Sequence, residues 1–263
     1  MATDPARPDS ATRTVLLKIG GAAAENEGSL ADLANEMLSL SKSVRLVLVH
    51  GGGAEVTSLS RRLGIEAVFE KGVRQTSPAE MDIVDMVLSG KLNKRLVRLL
   101  KTRGLNAVGL SGSDGGVFTG TPMGESRTGS VAGIDDRLLT LLLANGYLPV
   151  LSSTSMDARG GALNINADSV AFSLAAHLRA WALVFLSDIP GILCDGEVLA
   201  SATAERARNL IDQGVITGGM IPKVSASLQA LKSGVGKVII GSYAEAGSLG
   251  RLLEGSTGTR IEG

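Results

Sequence analysis

The chain has 263 residues, 44% of them hydrophobic but only 3% aromatic, and its 26 Lys plus Arg balance its 26 Asp plus Glu. Charge balance without a dense basic block excludes nucleic acid and anionic membrane as expected partners, and a single cysteine, Cys194, excludes an internal disulfide. No apolar run reaches the roughly 18 residues of a membrane span and the N-terminus lacks a signal peptide's apolar core, so the expectation is a cytoplasmic protein that handles small solutes.

Residues 1–13, with Pro5 and Pro8 among Ala, Asp, Ser and Thr, show no apolar periodicity and read as a disordered tail. Folded structure is expected from Thr14 onward. Short apolar runs then alternate with longer amphipathic ones: Val15 to Leu17 and Leu30 to Leu40, then Leu46 to Val49 and Val56 to Leu63. The rhythm continues through Ala107 to Leu110, Leu138 to Leu143 and Tyr147 to Leu151. Helical stretches at Ala167 to Leu178, Ala202 to Gln213 and Ile221 to Leu231 surround strands at Leu183 to Leu186 and Val238 to Ile240. This βαβ order predicts an α/β fold, a mostly parallel sheet rich in Val, Leu, Ile and Ala with helices on both faces. The longest helix is predicted over Pro78 to Lys101, its apolar stripe free to meet the core or a second subunit. The glycine-dense stretch Gly112 to Gly133 resists helix assignment and reads as a hairpin or lid.

The chemistry-bearing residues cluster where strands end. Lys18-Ile19-Gly20-Gly21 follows an apolar strand, so its glycines let backbone amides approach an anion while the lysine adds a point charge. His50-Gly51-Gly52-Gly53 closes Leu46 to Val49 and opens a helix, an arrangement suited to anions. A tight turn accounts for one such glycine well and for three poorly. Gly218-Gly219-Met220-Ile221-Pro222-Lys223 repeats the pairing of glycine with lysine far along the chain. The nucleoside-triphosphate loop, the dinucleotide fingerprint and the protein-kinase signatures are absent, and His50 and His177 are too few for a histidine zinc site. No metal site in the protein is expected. His177 reads as structural, and His50 as either a loop-orienting or a packing residue.

Taken in order, Lys18-Ile19-Gly20-Gly21, His50-Gly51-Gly52-Gly53, Gly72-Val73-Arg74-Gln75-Thr76, Asn164-Ile165-Asn166-Ala167-Asp168, Leu186-Ser187-Asp188-Ile189-Pro190-Gly191-Ile192 and Gly218-Gly219-Met220-Ile221-Pro222-Lys223 resemble the motif series of acetylglutamate kinases, in the amino-acid kinase family. The resemblance spans Val15 to Ile261. It implies a three-layer αβα sandwich around an open sheet of roughly eight strands, in a single domain over residues 14–263. An acyl-amino-acid-binding and dimerisation lobe would occupy about 14–178, and a nucleotide-binding lobe about 179–263.

The implied reaction moves the γ-phosphoryl of ATP to the side-chain carboxylate of N-acetyl-L-glutamate, in arginine biosynthesis. Lys18 and Lys223 match the residues that neutralise the transferring group, and Asp168 the one that holds both lysines, with Mg²⁺ carried on the ATP phosphates. Apart from the resemblance, Asp168 reads equally as a helix N-terminal charge. Arg74 and Asn164 match the acceptor's α-carboxylate contacts, Gly52 and Gly53 give it amides, and Gly20, Gly21 and Gly51 face phosphate. Asp188, Ile189, Pro190, Gly191, Ile192 and Leu193, with Val215, Ile216 and Thr217, match nucleotide contacts. The short, proline-interrupted tail differs from the helical extension of arginine-inhibited relatives and implies a homodimer without strong arginine feedback.

Two other functions compete. Val108 to Gly115 and Leu92 to Leu96 also resemble the carrier-protein-bound aminoadipate or glutamate kinases of lysine biosynthesis, although the intact third glycine and the Asn164 to Asp168 sequence favour a free acceptor. A catalytically silent binding protein of the same fold would not need both lysines and Asp168.

Overall fold

The structure is a computed structural model that describes residues 13–20, 27–70, 72–218 and 220–262, so almost all of the expected tail lies outside the described residues. In chain order, β1 (Thr14–Ile19), α1 (Glu27–Leu40), β2 (Arg45–His50) and α2 (Gly53–Arg62) are followed by a short hairpin of β3 (Val68–Glu70) and β4 (Val73–Gln75). Next come α3 (Pro78–Asp85), a π-helical turn over Met86–Leu92, α4 (Asn93–Thr102), β5 (Ala107–Leu110), β6 (Phe118–Pro122), β7 (Thr128–Ile134) and α5 (Arg137–Ala144). Then follow β8 (Leu148–Ser152), β9 (Thr154–Met156), β10 (Ala162–Ile165), α6 (Ala167–His177), β11 (Ala182–Ser187), β12 (Leu193–Cys194), β13 (Glu197–Val198) and β14 (Ser201–Thr203). The chain closes with α7 (Ala204–Asp212), α8 (Met220–Lys232), β15 (Val238–Ser242), α9 (Ser248–Glu254) and β16 (Thr259–Glu262).

The main sheet has eight strands in the order β14-β16-β15-β11-β1-β2-β8-β5, and among its pairs only β15 with β16 is antiparallel. Strand alternation divides its side chains between two cores. Leu16, Val47, Val49, Leu183 and Phe185 pack with α5, α6, α7 and α8 residues on one face, whereas Val15, Leu17, Ile19, Leu48 and Val184 pack with α1, α4 and α9 residues on the other. A three-layer αβα sandwich results. The chain turns outward in both directions from the β1–β11 seam: β2, β8 and β5 lie beyond β1, and β15, β16 and β14 beyond β11. Open α/β sheets bind ligands beyond the carboxyl ends of strands at such a switch point. Lys18 lies near the carboxyl end of β1.

Three differences from the sequence reading have physical causes, and one expectation is met. The helix expected over Pro78 to Lys101 is interrupted by the π-helical turn at Met86–Leu92, which the continuing apolar spacing conceals. The helix expected from Ala202 begins at Ala204, because Ser201–Thr203 pairs with β16 and the Thr203 hydroxyl caps the helix by accepting from Arg206 N. The Gly112 to Gly133 stretch does form a hairpin, β6 with β7, and joins β10 and β9 in a second, four-stranded sheet. The β3–β4 hairpin is not foreshadowed in the apolar pattern, since Val68 and Phe69 are more than half exposed.

Candidate active site

Lys18 shares the face of β1 occupied by Leu16, so its side chain emerges on the α6 side of the sheet, at the strand's end. There Asn166 caps α6, its side-chain oxygen accepting from Asp168 N at 2.8 Å and Ser169 N at 3.2 Å. The cap places Asp168 in the first helical turn. One Asp168 oxygen lies 2.7 Å from Lys18 Nζ and the other 3.1 Å from Lys223 Nζ. All three side chains are largely buried. Burial alone would raise the Asp168 carboxyl, but the ammonium groups of Lys18 and Lys223 outweigh it and hold the carboxyl below its usual range. Phe185, the register partner of Lys18, supports the other lysine, with Lys223 Nζ 5.1 Å from its ring centroid. A carboxylate shared by two ammonium groups leaves net positive charge facing outward.

A cavity of about 480 Å³ opens beside this cluster and is lined by Lys18, Asp168, Gly51, Gly52, Gly53, Arg74 and Asn164, among others. Its volume suits a small organic acid. Gly20 also lines it, whereas Gly21 lies outside the described residues, as does Gly219. Within the triple glycine, the steric demand falls on Gly52. A Cβ on Gly52 would sit 2.1 Å from Leu92 Cδ1 and 2.8 Å from Leu88 Cδ2, both contributed by the π-helical turn. At Gly51 the Ala167 methyl is 3.5 Å from where a Cβ would be, an ordinary contact.

Arg74 stands on β4. Its guanidinium reaches Glu80 Oε1 at 2.6 Å, Gly53 O at 3.0 Å and Thr57 Oγ1 at 2.6 Å, with the Phe69 ring 4.8 Å away. Glu80 is 1% exposed, so this ion pair is desolvated as well as close. Asn164, on β10, donates to Thr76 Oγ1 at 2.9 Å, and Thr76 N donates to Thr128 Oγ1 at 3.0 Å. The Thr128 hydroxyl then donates to the Arg74 carbonyl, tying the second sheet to the β3–β4 hairpin. Glu80, Thr57, Phe69 and Thr128 were not singled out in the sequence reading, and Thr76 appeared there only as the last residue of the Gly72 to Thr76 motif. Ser77-Pro78-Ala79-Glu80 carried the signal, since Ser-x-x-Glu before an apolar run marks a helix start, and Ser77 does accept from Glu80 N. The Glu80 carboxylate instead pairs with Arg74.

Asp188 to Leu193 and Val215 to Thr217 do not line this cavity. Ile192 and Ile216 are each 2% exposed within the core, and their backbone N–H groups already donate to Thr259 Oγ1 and Leu210 O, while the Ile192 carbonyl accepts from Leu199 N. Gly191 approaches β16 so closely that a Cβ would lie 2.7 Å from Thr259 Oγ1. Leu193 and Val215 are exposed. Among the described residues no group of three or more His, Cys, Asp or Glu could hold a metal ion. Among the described residues no helix is long and apolar enough to cross a membrane.

A βαβ sheet with a lysine at its switch point, and a second lysine tied to the first by one carboxylate, define a phosphate-handling α/β protein. The chain belongs to the amino acid kinase family, whose model matches residues 13–242. Among its relatives, the acetylglutamate kinase of Geobacillus kaustophilus is 43% identical over 87% of this chain and 89% of its own length. That of Nostoc sp. is 43% identical over 86% of this chain and 78% of its own. A crystal structure of a Streptococcus mutans protein superimposes with a TM-score of 0.81 at 29% identity, covering 94% of this chain and 98% of that one. The N-acetylglutamate synthase of Neisseria gonorrhoeae shares the fold at a TM-score of 0.85 and 24% identity, over 97% of this chain and 60% of that chain.

Proposed function

We propose that this protein is an acetylglutamate kinase: it transfers the γ-phosphoryl group of ATP to the side-chain carboxylate of N-acetyl-L-glutamate, giving N-acetyl-L-glutamyl 5-phosphate and ADP in arginine biosynthesis. The observation that carries the reading is the single Asp168 carboxylate gripping both Lys18 and Lys223 beside a cavity that also presents Arg74. An acceptor carboxylate oxygen forms a bond to the γ-phosphorus as the bond to the ADP oxygen breaks. The nucleophile is already an anion, so no general base is required. The protein's task is to bring anions together and to neutralise charge on the equatorial phosphoryl oxygens.

Lys18 and Lys223 perform that neutralisation, and Asp168 positions them. Gly20, Gly21 and Gly51 face the phosphoryl group. Arg74 and Asn164 take the acceptor's α-carboxylate, while Gly52 and Gly53 supply backbone amides. Arg74 already holds Glu80 and the Gly53 carbonyl, so acceptor binding shares its fork rather than capturing a free one. The nucleotide lies along residues 188–193 and 215–217. Mg²⁺ carried on the ATP phosphates would neutralise part of their charge. The acceptor lobe spans about 14–178 and the nucleotide lobe about 179–263. The protein is a cytoplasmic homodimer that binds no nucleic acid, and Met86, 55% exposed beside buried Val87 and Leu88, marks the helix for subunit contact.

Trapping the acyl phosphate with hydroxylamine tests the reading. ATP-dependent hydroxamate with acetylglutamate, in excess over glutamate, aspartate and aminoadipate, is the expected result. Preference for carrier-bound aminoadipate would transfer the protein to lysine biosynthesis, and no turnover of any acceptor would make it a binding protein. A single dimeric species in sedimentation checks the assembly, and a hexamer inhibited at low arginine would overturn it.

A further inference from the structure

His50 closes β2 and is fully buried, with Nδ1 2.9 Å from Gly51 O and Nε2 3.1 Å from Asn93 Nδ2. The position of its proton follows from donor and acceptor chemistry around Asn93. The Asn93 nitrogen lies 2.9 Å from Val150 O and 3.4 Å from Leu110 O, groups that only accept, and its two shorter contacts, to Val150 O and His50 Nε2, take its two hydrogens. The Asn93 oxygen takes Lys94 Nζ at 3.1 Å, a group that only donates. The amide therefore has one orientation and donates to His50 Nε2. The imidazole, accepting there, carries its proton on Nδ1 and donates to the Gly51 carbonyl. Lys94, Asn93, His50 and Gly51 form a chain of hydrogen bonds with a single direction.

Asn93 owes its place to the π-helical turn that ends at Leu92. The same turn sets Leu88 and Leu92 against Gly52. Wide helical turns of this kind recur at functional sites. Here one irregular turn acts on two residues of the glycine loop, sterically at Gly52 and through His50 at Gly51.

We propose that Asn93 is a positioning residue for phosphoryl transfer: by fixing the proton of His50 on Nδ1 it holds the Gly51 carbonyl against the buried ring, so that the loop offers the anionic acceptor amides rather than a carbonyl oxygen. The proposal rests on the acceptor site assigned above. His50 stays neutral across the working range, since burial pushes it down to about 4 against the Gly51 bond, and nearby Lys94 and Arg95 push the same way. Those two charges face it from α4, and Arg95 is paired with Glu55 of α2 at 3.2 Å. Its register neighbours, Ile19 on β1 and Ser152 on β8, do not titrate.

The test is Asn93→Asp. A carboxylate only accepts, so His50 Nε2 must then carry a proton. The imidazolium keeps the Nδ1 donor to Gly51, whereas the neutral ring loses it. In the variant the acceptor KM should sit near the wild-type value around pH 5 and rise roughly tenfold toward about pH 8 as the imidazolium is lost, with the ATP KM unchanged. The wild type should show no such pH-dependent step. The chain has 2 histidines. Histidine-ring ¹⁵N spectra therefore report His50 once a His177→Gln variant assigns the other signal, and the wild type should show a protonated Nδ1 and a bare Nε2.

A protonated Nε2 in the neutral wild-type ring would overturn the proposal, and that readout needs neither substrate nor a folded Asn93 variant. So would an Asn93→Asp enzyme whose acceptor and ATP KM values rise together and stay flat with pH. Should the wild type phosphorylate a different acceptor, the function assigned above falls, while the pH step is read on the acceptor actually used.

Discussion

Gly20 and Lys18 are matched sterically: a Cβ on Gly20 would lie 2.6 Å from the Lys18 ammonium nitrogen, which itself lies 2.7 Å from an Asp168 oxygen. Gly20→Ala therefore displaces the tip of a flexible side chain rather than backbone. Its cost should appear in kcat, by at least about tenfold, with a melting temperature within a few degrees of wild type because substitutions that spare the core shift stability little. Parallel kinetics and thermal unfolding check it, and an unchanged kcat would separate Lys18 from the chemistry.

Lys18→Ala and Lys223→Ala should each remove on the order of 3 kcal/mol of transition-state stabilisation, roughly a hundredfold in kcat. Because both cations share one carboxylate, their effects should be less than additive in the double variant. Single-turnover phosphoryl transfer measures this. Near-wild-type rates in both single variants would defeat the central assignment even with the fold intact.

Asp168 gives a pH signature. Its folded-state carboxyl lies below the usual 3.8, so the stability it contributes is present above that value and is lost as pH falls through the folded value. Asp168→Asn should be less stable than wild type at about pH 7, and the gap should close below about pH 4. Urea unfolding across that range reads the difference. A gap that stayed constant would mean that the lysines do not stabilise the charged carboxylate.

Arg74→Ala should have two separable effects. It leaves Glu80, 1% exposed, without its ion-pair partner, which costs about 3–5 kcal/mol of stability. It also removes the fork assigned to the acceptor's α-carboxylate. Pairing it with Glu80→Gln should restore much of the stability and none of the acceptor KM. Recovery of both would assign Arg74 to packing alone.

Gly52→Ala pushes a methyl into Leu92 and Leu88 and should destabilise by about 1–3 kcal/mol. Leu92→Ala would itself cost about 2–5 kcal/mol as a cavity. The double variant should be more stable than the two costs added together predict, and denaturant unfolding of the three proteins would reveal strict additivity if the contact were unimportant.

The sequence showed the parts of the site in which chemistry and element boundary coincide. Lys18, the triple glycine and Asp168 sit where an apolar strand ends or a helix begins, and the structure gathers all of them on one cavity. What stayed hidden depends on side chains that meet across elements. Asn93 looked like one residue of a long amphipathic helix, because Val87, Leu88, Leu92 and Leu96 keep the spacing of an α-helix while the backbone widens for one turn. Glu80 sat in a legible capping sequence, but its reach to Arg74 depends on a hairpin of only 3 residues per strand, too short and exposed to show alternation. The nucleotide segment illustrates the opposite limit. Asp-Ile-Pro-Gly names a turn, yet nothing in its letters says that Ile192 points into the core.

The seam between β1 and β11 divides the main sheet into two contiguous stretches of chain, since every strand on one side precedes residue 178 and every strand on the other follows it. Lys18 and Asp168 travel with the first stretch and Lys223 with the second. Opening the backbone in the short connection between α6 and β11 would therefore yield two polypeptides that each keep their own strand order and each lack part of the charge cluster. They could regain it only by rejoining along five register pairs of parallel backbone. Reassociation of the fragments and reappearance of phosphoryl transfer would then be one event, with turnover serving as a count of rejoined sheets.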